Sequence, residues 1–80
     1  MNIPIVDYIW FYDTDYAEIS DDIKRKIENL GYPVIVKPAK LGSSVGITYV
    51  SDAKDINSAI EEAIKYDNKI IVEKAVNNLL

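Results

Sequence analysis

Apolar residues recur along the chain with two different periods, one suited to strands and one to helices. Ile3 to Tyr12 is dense in Ile, Val, Tyr, Trp and Phe, side chains that suit a pleated surface. Ile3, Ile5, Ile9 and Phe11 share one parity, interrupted by Asp7, while Val6, Tyr8, Trp10 and Tyr12 share the other. Bulk on both parities predicts a strand covered on both faces, or lodged against another domain or subunit. Asp13-Thr14-Asp15 breaks it.

The period then changes. Ile23, Ile27 and Leu30 fall at i, i+4 and i+7, with Lys24, Arg25 and Lys26 mostly off that stripe, which predicts an amphipathic helix. Ser20 is its expected N-cap, with Asp21 and Asp22 in the first turn where the macrodipole favours negative charge. Gly31 stands where a glycine ends a helix. Pro33 to Pro38 is a compact β-branched run closed by a proline, which cannot donate to a ladder. Ala39 to Val45 is polar and glycine-bearing, and Gly46 to Val50 resumes a strand, so the two strands form a hairpin with a long tip. Ser51 or Asp52 is the expected cap of a second helix, whose Ile56, Ile60 and Ile64 lie four apart beside Ala59 and Ala63. Asp67-Asn68 signals a turn, and Lys69 to Lys74 is the last strand.

The order is β-α-β-loop-β-α-β. It predicts an α+β fold: a small, mostly antiparallel four-stranded sheet with two helices on one face. Residues 1–80 read as a single partial domain, and a chain that stops soon after a strand reads as a piece of something larger. Composition agrees with a folded unit, with 49% apolar and 28% charged residues. Eighty residues hold one core and leave stability marginal. The net charge of −4 opposes a nucleic-acid binder, which carries a basic field. It leaves room for one small anion held by local donors. With no cysteine and no histidine there is neither a thiolate metal site nor His-based catalysis. No apolar run reaches the length of a membrane span, and Met1-Asn2-Ile3-Pro4 lacks the start of a signal peptide. The expected location is cytoplasmic, with neither membrane nor nucleic acid as partner.

Three local features carry chemistry. Lys37 ends an otherwise apolar strand, where an ammonium without a partner is costly. Its partner is then an anion from outside the sequence, such as a nucleotide phosphate, or else its stem snorkels the charge to water. In Gly42-Ser43-Ser44-Val45-Gly46, glycines let backbone N–H groups converge and two hydroxyls add donors. Such a nest can cradle phosphate, and a mobile turn has the same composition. The loop is neither a Walker A motif nor G-x-G-x-x-G. Finally, Glu73-Lys74 at a strand end can read an adenine edge or stand as a solvated pair.

Taken in order, Gly31 to Ile47, with Lys37-Pro38 and Gly42-Ser43-Ser44-Val45-Gly46, resembles the D-alanine–D-alanine ligase family of ATP-grasp enzymes. Ile3 to Tyr8 is similar to the family's entry strand and Ile71-Val72-Glu73-Lys74 to its adenine-side strand, so the resemblance runs from Ile3 to about Val76. It implies that Lys37 contacts nucleotide phosphate. Ser43, given the catalytic role, helps lock the loop over the site, and Ser44 contacts phosphate through its backbone, with Val45 and Gly46 completing the nest. Glu73 then meets the adenine amino group, and the backbones of Lys74 and Val76 serve as acceptor and donor for the base edge. The implied partners are ATP, with Mg held by residues outside this chain, and D-alanine bound by other domains of a homodimeric enzyme. That enzyme phosphorylates one D-alanine and lets the amine of a second D-amino acid attack.

Some positions depart from the family. Ala75 stands where the family has a larger side chain, and Asn77-Asn78-Leu79-Leu80 lacks its ribose carboxylate. Asp52, Asp55, Glu61 and Glu62 read as a solvated helix face and not as metal ligands. The expectation is one jaw of a nucleotide clamp, inactive alone. The alternatives are another ATP-grasp carboxylate–amine ligase, or a noncatalytic module docking a partner through the Tyr8–Tyr12 strand.

Overall fold

The computed structural model describes residues 7–40 and 46–75. The first strand, β1, covers Tyr8–Tyr12 and passes directly into helix α1, Asp13–Leu30. A hairpin follows, made of β2 (Val34–Pro38) and β3 (Thr48–Val50). A 3-10 turn at Ala53–Asp55 leads into α2 (Ile56–Ile64), and β4 (Lys69–Lys74) ends the described chain. The expected strand over Ile3–Val6 and the loop and tail positions 41–45 and 76–80 lie outside the described residues.

The sheet order is β1-β4-β2-β3, and every pairing is antiparallel. The last strand in sequence is therefore interior, paired with both β1 and β2. Its composition suits that place: Ile70 and Val72 are fully buried and alternate with Ile71 and Glu73, which are half-buried. Both helices cover one face, α1 over β1 and β4, and α2 over β2, β3 and β4. The inward residues Phe11, Val34, Val36, Val50, Ile70 and Val72 meet Ile23 and Ile27 of α1 and Ile56, Ala59, Ile60 and Ala63 of α2. Each fully buried Ile or Val contributes on the order of 2 kcal/mol by leaving water. The expected α+β architecture and element order hold, with no parallel pair among the described strands.

The start of α1 differs from the sequence reading. Asp13-Thr14-Asp15 ends the strand and opens the helix in the same turn. The Tyr12 N–H donates to Asp15 Oδ2 at 3.0 Å, and Asp13 and Asp15 supply the negative charge of the first turn. Ser20 is thus not the N-cap of the whole helix. It follows Ile19, whose φ of −130° and ψ of 44° interrupt the helical path, so the amphipathic run begins at a kink within α1. The other end behaves as read: Gly31 follows at φ 89° and donates its N–H to Ile27 O at 3.2 Å. Of the two caps expected for the second helical segment, Ser51 and Asp52, it is Asp52 that serves, its Oδ1 accepting from Lys54 N at 3.1 Å, though it caps the 3-10 lead-in rather than α2 itself.

Candidate functional site

Because both helices sit on one side, the side chains of opposite parity are left on an open face. The registers define its rows. Tyr8 lies across from Glu73, and Glu73 across from Ile35, which in turn faces Tyr49. In the next row Trp10, Ile71 and Lys37 are neighbours. Lys37 and Glu73 are therefore diagonal neighbours on adjacent strands, and they form an ion pair of 2.9 Å, with side chains 25% and 34% exposed. The sequence alone offers Lys37 either an anion from outside the chain or a path to water along its stem. The fold instead gives it a carboxylate partner of its own, brought across from a strand more than thirty residues on. A half-exposed pair of this kind is worth about 1 kcal/mol, so a better anion can compete for the ammonium or share it.

The rest of the face is aromatic and wet. Tyr8, Trp10 and Tyr12 are 57%, 51% and 42% exposed, so among the described residues the β1 strand is covered on one side only, by α1. Lys69 Nζ sits 4.5 Å from the Trp10 ring centroid, and Trp10 meets Tyr12 edge to face. Base and aromatic rings stack favourably on such surfaces.

Lys74 has the opposite parity and plays a different part. Its Nζ donates to Gly31 O at 3.2 Å, bracing the turn between α1 and β2, and its N–H donates to Asp7 O at 2.9 Å. Both contacts use its donors and leave its carbonyl out. Ala75 is buried and its N–H donates to Pro33 O. Of the glycine-bearing loop, Gly46 is described: it adopts φ 84°, the left-handed region that glycine favours, and packs against Tyr66 and Pro38. Ser43, Ser44, Val45 and Val76 lie outside the described residues.

One participant was missed by sequence reasoning. Asp67, read only as a turn residue, accepts from Lys40 N at 2.7 Å and from Lys69 N at 3.3 Å. Desolvation works to raise its carboxyl, but the backbone N–H groups of Lys69, Lys40 and Asn68, with the Lys40 charge, hold it below the usual carboxylate range. The Asp-Asn dipeptide announces an Asx turn; nothing local announces the bond to Lys40.

A pocket of about 600 Å³ opens elsewhere, between β1 and α1, lined by residues including Trp10, Asp15, Ile19 and Lys26. It lies along the sheet's β1 edge and includes neither Lys37 nor Glu73. Among the described residues no group of three or more acidic side chains stands together to hold a metal ion. No described helix is long and apolar enough to cross a membrane.

A four-stranded antiparallel sheet with two helices on one face and a free opposite face is the architecture of the ATP-grasp ligases. The VanG D-Ala:D-Ser ligase from Enterococcus faecalis superposes with a TM-score of 0.81 at 34% identity, over 95% of this chain and 21% of that one. The D-alanine–D-alanine ligase from Helicobacter pylori superposes with a TM-score of 0.75 at 28% identity, over 95% and 22%. Among curated relatives, the D-alanine–D-alanine ligase of Borreliella afzelii is 54% identical over 76 residues, 94% of this chain and 21% of its own length. That of Clostridium acetobutylicum is 46% identical over 77 residues, 95% and 22%. The family described as D-ala D-ala ligase C-terminus matches residues 1–79, and the chain belongs to it. It spans about a fifth of the length of the ligases it matches.

Proposed function

We propose that this chain is the phosphate- and adenine-gripping part of an ATP-dependent ligase joining D-alanine to a second D-amino acid or D-hydroxy acid, for peptidoglycan precursors in the bacterial cytoplasm. The observation that carries the reading is the Lys37–Glu73 pair on the face that neither helix covers. An ammonium has three N–H donors. One satisfies Glu73, and the others remain for phosphate oxygens. The Glu73 carboxylate takes the adenine amino hydrogens, while the Lys74 carbonyl and the Val76 N–H pair with the base edge. Ser43, Ser44, Val45 and Gly46 add donors around the outer phosphates, with Ser43 locking that loop.

In this reading the chain supplies no nucleophile. The carboxylate of the first D-alanine takes the γ-phosphoryl group, and the amine of the second substrate then displaces phosphate. What these residues contribute is alignment and charge neutralisation, the main terms in phosphoryl transfer. Mg, held by residues beyond this chain, supplies further neutralisation when bound. The aromatics Tyr8, Trp10 and Tyr12 share the face with the pair, and so meet the rest of a homodimeric ligase rather than a separate partner. The 80-residue chain has no ligase activity by itself.

The test is steady-state kinetics on the intact ligase. Lys37→Ala raises the KM for ATP by about tenfold or more, the loss expected for one charged phosphate contact, with the KM for D-alanine little changed. An unaltered KM for ATP sinks the phosphate role of Lys37.

A further inference from the structure

A second ammonium stands on the open face, beside Trp10. Lys69 opens β4 and shares the parity of Ile71 and Glu73, the residues turned away from the helices. Its main chain is fixed on two sides: the N–H donates to Asp67 Oδ1 at 3.3 Å, and the carbonyl accepts from Ala39 N at 2.8 Å. The side chain crosses towards β1, where Nζ rests 4.5 Å from the Trp10 ring centroid. Lys37 and Trp10 both lie across from Ile71, on β2 and β1 respectively. The two ammonium groups therefore flank Ile71, Lys37 leaning back to Glu73 at 2.9 Å and Lys69 held over the ring. Among the described residues Lys37 has a carboxylate partner and Lys69 has none.

We propose that Lys69 is a second phosphate-binding residue of this face. It meets phosphates farther from the base than Lys37 does, and so sets a preference for nucleoside triphosphates over monophosphates. This rests on the reading of the face as a nucleotide site. With the base at Glu73 and the first phosphate at Lys37, a phosphate chain continuing along β4 reaches the row of Lys69. That row lies about 14 Å from the row of Glu73, the length of four residues of antiparallel strand. What holds Lys69 also suits the role. The ring attracts the charge without the directed bonds of a carboxylate, so the three N–H donors of the ammonium stay available to phosphate oxygens. The half-buried stem restricts the side chain, so little freedom is lost on binding. A lysine that only kept its charge in water would extend away from the sheet; this one lies across it, over Trp10.

The experiment measures the binding of ATP and AMP to the intact ligase by calorimetric titration. The forms are wild type, Lys69→Met, Lys69→Arg and Lys37→Ala. Lys69→Met keeps an unbranched stem over Trp10 and loses the charge. It weakens ATP by about tenfold, the loss of one charge-assisted bond, and leaves AMP within about twofold of wild type. The retained AMP binding also shows that the variant is folded. Lys69→Arg, a cation that stacks on rings and pairs with phosphate, recovers most of the ATP affinity. If Lys69→Met binds ATP as wild type does while Lys37→Ala does not, the role of Lys69 is overturned and the phosphate reading of the face stands. Equal losses for ATP and AMP overturn it as well, since a contact with the outer phosphates spares the monophosphate. If neither variant changes the affinity for ATP, the phosphate reading fails first and this inference with it.

Discussion

Replacing Gly46 by alanine should cost more stability than a change of one methyl suggests. At φ 84°, a residue with a Cβ carries a strain of about 1–2 kcal/mol. The added methyl would also stand 2.7 Å from Tyr66 Cδ2 and 3.3 Å from Pro38 Cγ and Cδ. Pro38 is buried in the sheet and cannot give, whereas Tyr66 is 44% exposed and can swing outward. Overpacking relieved by such a movement costs about 1 kcal/mol. The sum is about 2–3 kcal/mol, and for a unit of this length it lowers the melting temperature by about 10–20 °C. Melting followed by circular dichroism reads the loss. The double variant Gly46→Ala/Tyr66→Ala separates the two causes: removing the ring restores the overpacking share, about 1 kcal/mol, and leaves the backbone strain. Gly46→Ala melting within a degree or so of wild type would refute the reasoning. No coupling between the two positions would refute its steric half.

Other consequences are smaller and equally direct. The bond from Lys74 Nζ to Gly31 O is removed in Lys74→Met, which should lower the stability read by urea unfolding by about 1 kcal/mol; an unchanged midpoint would show that the bond contributes nothing. The Tyr16 hydroxyl donates to Asn57 Oδ1, joining α1 to α2. Burial and the nearby Glu61 raise its pKa, so Tyr16 stabilises the fold below the ordinary phenol range and less as pH rises through the raised value. Tyr16→Phe should flatten that alkaline loss, and an identical alkaline profile would contradict it. Asp67, held low, stabilises above the ordinary carboxylate range, and its contribution fades as pH falls through the depressed value. The gap in urea midpoint between wild type and Asp67→Asn is then largest near neutrality and closes in acid; a gap constant with pH contradicts the assignment.

The sequence made some of this legible because some signals are local. Periodicity finds the stripes Ile23-Ile27 and Ile56-Ile60, and Gly31 marks a helix end, since each is decided within a few residues. The start of α1 is misplaced by the sequence because Ser20 follows a kink at Ile19, while the true opening uses Asp15, a carboxylate that reads locally as part of a turn. Lys37 stands out by its isolation in an apolar strand, and that same reasoning leaves it without a partner. Strand order supplies the partner: only with β4 between β1 and β2 does Glu73 come beside it. The exposed parity of β1 and the reach of Asp67 to Lys40 depend equally on topology, which no window of ten residues contains.

In the proposed function, nucleotide phosphate meets Lys37 on the open sheet face. A crystal structure of the intact ligase with a non-hydrolysable ATP analogue tests it most directly. The expected result is a phosphate oxygen about 3 Å from Lys37 Nζ, with Glu73 facing the base. An analogue seated instead in the pocket between β1 and α1, with Lys37 bound to Glu73 alone, would contradict it.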